Sequence, residues 1–278
     1  MPAEKSGISN PVRNKFLSGA NGLKLSIIIP AYNEEKYIGS CLKSIFMAMA
    51  GNRHKVEVIV INNASTDRTR AVALSYGQVK VFDELKKGTN RARQLGLTKA
   101  TGDLVANIDA DNMITKDWLN TAFKEFSDNP KLVALSGPYI FYDMAPIYRL
   151  MTKFFYRLAY PVYVINNRLF KKGGAVMGGN VVIKKTALEE IGGYNTALTF
   201  YGDDTDTAIR LSKVGVVKFS YKFMIQSSGR RLKDEGVIGA GYRYVINHIC
   251  VALFKKPYYG VKKDLHHKYE ETLAKIKE

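Results

Sequence analysis

Two aspartates, Asp109 and Asp111, directly follow the mostly apolar run 104–108. Two carboxylates so close together repel each other unless a cation binds between them. Their oxygen atoms suit a hard divalent ion, Mg²⁺ or Mn²⁺, that also bridges to a diphosphate. An EF-hand is excluded, because Ile114 and Asn120 stand where that loop carries Gly and Glu. The pair predicts a divalent metal site, with a phosphatase-type aspartyl nucleophile as the alternative.

Two further segments carry residues that could do chemistry. Segment 202–206 (GDDTD) has three acids at the start of a helix predicted over 205–214. Acids favour a helix N-terminus, but three in four residues exceed that need, and one could act as general base on a substrate hydroxyl. Segment 227–231 (SSGRR) offers hydroxyls and two guanidinium groups that suit a phosphate; the alternative is a solvated basic loop.

The elements that must position these residues alternate between strand and helix. The predicted strands are 25–29, 56–61, 79–82 and 104–108. The predicted helices are 36–50 and 90–100, and a third helix between them is capped by Ser65 or Thr66 and ends near residue 76. This order predicts an α/β fold with a Rossmann-like, mostly parallel sheet and helices on both faces. After Leu135 the pattern loosens, with strands expected at 181–183 and 216–219.

Polar residues follow three of these strands, at 30–34 (PAYNE), 62–67 (NNASTD) and 109–111 (DAD). One such loop is readily explained by turn and capping chemistry. Three polar loops that follow three strands in the same position are not explained in this way, because ligands of open parallel sheets bind at the carboxyl ends of the strands. We therefore expect one ligand site at this edge.

Composition and charge limit the class of protein. The 278 residues are 46% hydrophobic, and 42 Lys and Arg against 25 Asp and Glu give a net charge of +17. Such a surface attracts nucleic acid, anionic lipid or phosphorylated substrates. Two cysteines, Cys41 and Cys250, exclude a disulfide scaffold and a cysteine-based zinc site and favour a reducing, cytoplasmic compartment.

Aromatic and aliphatic residues alternate with Lys and Arg in 146–170 and 243–263. The apolar part of the second stretch, 242–254, is shorter than the roughly 20 residues of a membrane span, and 1–21 has no apolar run typical of a signal peptide. We expect both stretches to lie on an anionic membrane surface at its cytoplasmic face. The alternative is that the aromatic residues pack against the main domain or form a dimer contact.

The ordered motifs between about residues 25 and 215 resemble family 2 glycosyltransferases. The segments that carry the resemblance are 26–35 (SIIIPAYNEE), 58–69 (VIVINNASTDRT), 92–103 (ARQLGLTKATGD), 107–111 (NIDAD), 178–180 (GGN), 191–194 (IGGY) and 202–206 (GDDTD). The resemblance implies a GT-A fold, a UDP- or GDP-sugar donor, a divalent cation (Mn²⁺ or Mg²⁺) and inversion at the anomeric carbon. It also implies a glycan or lipid-linked acceptor.

The resemblance assigns roles to individual residues. Asp204 would be the catalytic base, and Asp109 and Asp111 would hold metal, ribose and diphosphate. The donor-binding set would comprise Pro30, Ala31, Tyr32, Glu34, Asn62, Asn63, Arg93, Asp109, Ala110 and Asp111, with Asn62 or Asn63 facing the base and Arg93 beside it. The acceptor or diphosphate would be contacted by Gly179, Asn180, Asp203, Arg230 and Arg231. The family commonly has Asp at the position of Asn62 or Asn63, so this departure leaves the nucleotide open.

The expected organisation is a polar leader (1–23), a GT-A domain (24–222) and a basic, helical C-terminal extension (223–278). The domain divides into a nucleotide-binding half (24–112) and an acceptor-binding half (113–222). One alternative function is a polyprenyl-phosphate sugar synthase, whose anionic acceptor needs no base. A nucleic-acid-binding protein is the alternative from another class, although no nucleic-acid motif is present in the sequence. A nucleotidyltransferase would need a Gly-rich phosphate loop after the first strand, where PAYN stands.

Overall fold

The structure is a computed structural model, which describes residues 22–165, 176–198 and 202–236 and the single positions 239, 246 and 250. Most of the predicted leader, the end of the first aromatic-basic stretch and the whole second stretch as a segment lie outside the described residues. No helix in the described part of the chain is long and apolar enough to cross a membrane.

Seven strands form the main sheet: β1 (Lys24–Ala31), β2 (Lys55–Asn62), β3 (Val79–Asp83), β4 (Leu104–Ile108), β6 (Leu132–Ser136), β8 (Asn180–Lys184) and β9 (Val216–Phe219). Their spatial order is β3-β2-β1-β4-β8-β6-β9. All neighbours pair in parallel except β8, which runs antiparallel to both β4 and β6. The predicted α/β fold with a mostly parallel sheet is confirmed.

A second sheet of three short strands lies beside the carboxyl edge. It contains β5 (Asn112–Ile114), β7 (Tyr139–Phe141) and β10 (Ile225–Ser227), with β10 in the middle. Because β5 starts directly after Asp111 and β10 ends just before Arg230, this sheet brings the aspartate pair and the SSGRR segment to one place.

Eight helices complete the described fold: α1 (Ile38–Ala50), α2 (Thr69–Leu74), α3 (Thr89–Lys99), α4 (Trp118–Asp128), α5 (Pro146–Ile165), α6 (Lys185–Glu190), α7 (Asp203–Leu211) and α8 (Arg230–Glu235). Alternation along β1 sends Ile27 and Ile29 into a core cluster with α1 and α4, and Ile28 into a second cluster with α3, α6 and α7. The main sheet is therefore covered on both faces, and its strands are apolar on both sides.

Two local expectations were wrong. Strand β1 continues through Pro30 to Ala31, because beyond Ile28 it pairs with β2 alone and the missing proline N–H leaves no gap toward β4. Ser65 and Thr66 do not cap α2; their hydroxyls bond to Asn33 on the neighbouring loop, and the helix begins at Thr69. Trp118 of α4 lies in the core, with 1% of its surface exposed.

Candidate active site

Five carboxylates from three segments meet at the carboxyl edge of the sheet, and we call them the acidic cluster. Its members are Glu34, Asp109, Asp111, Asp203 and Asp204. Glu34 follows β1, the aspartate pair follows β4, and the last two open α7. The structure thus brings together the acids of three separate sequence motifs.

Arg93 of α3 lies at the centre of one half of this cluster. Its Nη1 donates to Asp203 (2.9 Å) and to Asp204 (3.3 Å), and its Nη2 to Asp109 (3.4 Å). Only 6% of the Arg93 side chain is exposed, and of its three partners Asp203 is the most buried, at 13% exposed. The pair with Asp203 is therefore the best shielded from water. The guanidinium thus lies among the acids, and its predicted place beside the nucleobase stays a prediction.

Two glycines allow the acids to approach the backbone. The Gly178 N–H donates to Asp204 Oδ2 at 2.8 Å, and a Cβ atom on Gly178 would lie 2.1 Å from Asp204 Oδ1. A Cβ atom on Gly179 would lie 2.1 Å from Asp109 Oδ2. The GG pair in 178–180 is therefore required by this close contact, and Gly179, predicted to contact acceptor or diphosphate, lies directly against Asp109.

The pKa values of both acids that open α7 are raised. Burial and the charge of Asp203 raise the pKa of Asp204, Arg93 opposes them, and the resulting pKa is about 7. Burial also raises the pKa of Asp203, which Arg93 opposes. A carboxylate with a pKa near the working pH takes up and releases a proton readily, as a general base must. Asp206 is not part of this arrangement, because it pairs with Arg210 at 2.8 Å.

The other half of the cluster is held by Arg230. Its Nη2 bonds to Glu34 Oε1 and lies 3.2 Å from Asp111 Oδ2. Burial raises the pKa of Asp111 to about 7, although Arg230 lowers it, and burial also raises the pKa of Glu34. Glu34 Oε2 is buried and has no hydrogen-bond partner among the described residues. The charge of Arg231 also acts on Asp111.

The donor set of Asp109 and Asp111 fits a divalent metal that binds together with a substrate. No three His, Cys, Asp or Glu side chains in the described ranges are grouped as a self-sufficient metal site. Mg²⁺ in proteins is usually bound by one or two carboxylates and the phosphates of its substrate, with water completing the shell. The raised pKa of Asp111 and the unpartnered Glu34 oxygen indicate an edge with more negative charge than its two arginines neutralise.

Asn62 and Asn63 differ in what remains free for a ligand. The Asn63 amide donates to the carbonyls of Glu84 and Lys86, and its oxygen accepts from the Gly88 N–H. Asn62 Nδ2 donates to Asp83, whereas its Oδ1 is buried without a partner in the described structure. Asn63 therefore shapes the loop after β3, and Asn62 is the one that retains a buried acceptor without a partner.

The remaining donor-binding candidates lie around the end of β1. Tyr32 is half-buried beneath the Lys87 ammonium, which is 4.2 Å from its ring centre. Pro30 lies in β1. The side chains of Ala31 and Ala110 belong to the core, with 1% and 3% exposed, so only their backbone atoms are left to face a ligand.

Asn180 does not face the site, which corrects its predicted role with acceptor or diphosphate. Its Oδ1 accepts from Trp118 Nε1, and its Nδ2 donates to the carbonyls of Gly137 and Phe223. The side chain is 0% exposed and its hydrogen bonds are satisfied, so it joins the two sheets.

Sequence reasoning missed two residues of the site, Tyr139 and Asp143. The Tyr139 hydroxyl accepts the Gly179 N–H at 2.9 Å, beside Asp109. Asp143 accepts from the Ser228 hydroxyl (2.8 Å) and the Gly229 N–H (2.6 Å). Neither stands in a recognisable motif, and the Asp143 contacts join residues 85 and 86 positions apart.

The fold and this acidic edge define an α/β enzyme with its ligand site at the carboxyl ends of the strands. The model of the family described as "Glycosyl transferase family 2" matches residues 26–192, more than half of the chain. The chain therefore belongs to glycosyl transferase family 2 and is a glycosyltransferase.

Curated relatives match just under half of the chain. The 4,4'-diaponeurosporenoate glycosyltransferase of Staphylococcus aureus is 38% identical over 144 residues, which is 48% of this chain and 37% of that protein. Glycosyltransferase GlyA of Streptococcus pneumoniae is 28% identical over 122 residues, 42% of this chain and 17% of GlyA. The alignments thus span well under half of these relatives' lengths.

Solved structures confirm the GT-A-type fold. A mannosyltransferase, PcManGT from Pyrobaculum calidifontis, in complex with GDP-Man and Mn²⁺ has a TM-score of 0.63 at 23% identity, covering 86% of this chain and 65% of that one. Glucosyl-3-phosphoglycerate synthase from Mycobacterium tuberculosis with Mn²⁺ and UDP-glucose has a TM-score of 0.59 at 19% identity, covering 94% and 88%.

Proposed function

We propose that this glycosyltransferase transfers a sugar from a nucleoside-diphosphate sugar to a hydroxyl of a glycan or lipid-linked acceptor, with inversion and with a divalent cation. The observation that carries the proposal is the acidic cluster, in which Asp109 and Asp204 share the guanidinium of Arg93. One arginine thus fixes a donor-side acid and a candidate base in a single buried unit.

The donor side is supported by Asn62 and the aspartate pair. Solved relatives of this fold bind GDP-Man, UDP-GlcNAc and UDP-glucose, so a nucleoside diphosphate is the expected class of donor. The free Oδ1 of Asn62 is an acceptor for an N–H of the base. Asp109 and Asp111 would hold the cation.

The divalent cation, when bound, offsets the negative charge that develops on the leaving diphosphate. The proton transfer is carried out by this chain's own residues. Asp204, oriented by the Gly178 N–H and Arg93, accepts the proton of the attacking acceptor hydroxyl. Such a base is needed by a hydroxyl acceptor but not by an anionic phosphate, so Asp204 favours this function over a polyprenyl-phosphate sugar synthase.

A membrane-bound acceptor is favoured by α5. Ile147, Leu150, Met151 and Phe154 follow helical spacing and are 44–63% exposed. The helix sequence contains Arg149, Lys153 and Arg157 and no acid. An apolar stripe with basic neighbours is typical of a helix that lies in a lipid head-group layer, and we propose peripheral attachment at the cytoplasmic face.

The function is tested by screening the purified full chain against UDP- and GDP-sugars with Mn²⁺, reading donor hydrolysis and thermal stabilisation. A donor at 100 times its Kd should add about 2.7 kcal/mol of stability. Asp111→Ala and EDTA should each abolish turnover, whereas Asp128→Ala, an exposed acid paired with Lys124 on α4, should not. Full activity in EDTA or in Asp111→Ala would contradict the metal assignment.

A further inference from the structure

The segment 227–235, which we call the strap, crosses from β10 to the acidic cluster. Its start is fixed by Asp143, which accepts hydrogen bonds from the Ser228 hydroxyl and the Gly229 N–H and lies 3.4 Å from the Lys233 ammonium. Burial raises the pKa of Asp143, but these hydrogen bonds and Lys233 lower it more, so the net shift is downward and the group is an anion at neutral pH.

Packing leaves the strap little freedom at this point. A Cβ atom on Gly229 would lie 2.3 Å from Met144 Cγ, so only glycine fits between Asp143 and Arg230. Arg230 follows Gly229, and its guanidinium lies 4.5 Å from the ring centre of Tyr37. Asp143 and Tyr37 thus determine where this guanidinium lies.

The guanidinium contacts carboxylates that would also attract a bound cation. It contacts both Glu34 and Asp111, and Asp111 is one of the two candidate metal ligands. The arrangement is incomplete, because one oxygen of the buried Glu34 has no hydrogen-bond partner in the described structure. A metal-bound diphosphate would supply a cation for the carboxylates and an anion for the guanidinium at once.

We propose that Arg230 exchanges partners: it holds Glu34 and Asp111 before the donor binds and moves to the donor diphosphate when the metal binds at Asp109 and Asp111. Asp143 is the positioning residue that keeps the strap over the site during the exchange. This inference rests on the proposed function, because it takes a nucleoside diphosphate as the ligand. The competing explanation is a permanent structural ion pair between Arg230 and Glu34.

Binding measurements on Arg230→Met separate the two explanations, because exchange predicts effects of opposite sign. With Arg230 removed, Mn²⁺ alone should bind more tightly by about threefold or more, since a competing cation is gone. UDP or GDP in the presence of Mn²⁺ should bind about tenfold more weakly, since a charge-assisted contact to the diphosphate is lost. A permanent ion pair predicts that both affinities fall together or that neither changes, and either result overturns the exchange.

Asp143→Asn tests the positioning role. We expect the donor KM to rise by about three- to tenfold with kcat nearly unchanged, because the strap is displaced while Asp204 is untouched. Asp128→Asn is the matched control and should leave both constants unchanged. Equal losses in kcat and in thermal stability, with KM constant, would make Asp143 merely structural and overturn its role.

A substitute variant and a measurement on the parent protein complete the experiment. If Arg230→Met does not fold, Arg230→Lys replaces it; a lysine keeps the charge but cannot form a forked contact, so diphosphate binding should weaken while Mn²⁺ binding stays near that of the parent. If the parent protein binds neither UDP nor GDP with Mn²⁺, the proposed donor class fails and the exchange fails with it. If the parent binds and Arg230→Met binds equally well, only the exchange fails.

Discussion

Each acid of the cluster owes its behaviour to a contact with a distant residue. Asp204 is held by the Gly178 N–H and by Arg93, and Asp111 by Arg230. Burial raises the pKa of both aspartates to about 7. Burial therefore disfavours the ionised form of both carboxylates. In the proposed function, a metal at Asp111 and a proton taken up by Asp204 would offset this cost.

Asp204→Asn should retain donor binding and lower turnover by roughly 10²–10⁴-fold, the usual contribution of a general base. Because the base must be deprotonated, the parent enzyme's kcat should fall about tenfold per pH unit below about pH 7, and the variant should lack this limb. Kinetics from about pH 5 to pH 9 with fixed Mn²⁺ measure both effects. If donor affinity falls while turnover is preserved, the base is another residue, of which Asp203 is the first to examine.

Asp111→Asn should stabilise the metal-free protein at neutral and higher pH. A carboxyl with a higher pKa in the folded state binds its proton more tightly when folded, so the free energy of unfolding falls as pH rises from about 4 to about 7. The variant removes this loss, which amounts to up to about 4 kcal/mol above pH 7. Denaturant unfolding in EDTA at low and high pH compares the two proteins. A parent stability that rises more steeply with pH than that of the variant would contradict this sign.

Motifs predicted the acids of the site, and Arg93 and Arg230 as site residues, but not the ion pairs between them. Asp109 and Asp111 were predicted from their position after a strand, and the GDDTD segment from its position at a helix start. The ion pairs of Arg93 were not predicted, because they join residues 110 and 111 positions apart, and side-chain direction on α3 is set only when the sheet has formed. Asn180 was misassigned for the same reason: an amide beside two functional glycines faces the core instead.

At the scale of elements, the junction between the two sheets depends on one side chain. Asn180 on β8 binds Trp118 of α4 and the backbone of Gly137 and Phe223. Gly137 itself has no room for a Cβ atom, which would lie 1.8 Å from the Phe223 carbonyl oxygen. Since β10 carries the strap, this junction also positions Arg230.

Asn180→Ala should destabilise the protein by roughly 2–4 kcal/mol, because the Trp118 N–H and two carbonyls lose a partner in a buried place. Asn120→Ala is the matched control, as it removes an exposed amide bonded to Asn52 and should cost well below 1 kcal/mol. Urea unfolding of both variants measures the difference. Equal stabilities would show that the buried network contributes little.

Strand–helix alternation predicted the first half of the fold well, and β4 and β9 match their predicted bounds. The elements after β4 were harder to predict from the sequence. Strands β5, β7 and β10 have three residues each, too short for a periodic pattern to emerge. The antiparallel place of β8 between β4 and β6 depends on long-range pairing, which a local pattern does not encode.

For the molecule as a whole, positive charge and exposed apolar surface coincide on α5. The chain carries a net charge of +17, whereas the site is acidic, so the excess of Lys and Arg must lie outside the site. Basic residues outside an acidic site would suit the proposed function, in which the enzyme approaches an anionic membrane while its carboxylates bind a cation.

Vesicle binding tests this surface. The protein should sediment with vesicles of phosphatidylglycerol and phosphatidylcholine and much less with phosphatidylcholine alone, and high salt should release it, because each basic residue near the surface contributes on the order of 1 kcal/mol. Replacing Ile147 and Phe154 by Ser should weaken binding by removing apolar area from the head-group layer. Leu85→Ser is the matched control, since Leu85 is 84% exposed outside α5. Equal recovery in the supernatant under every condition would assign the α5 stripe to a protein contact and favour a soluble acceptor.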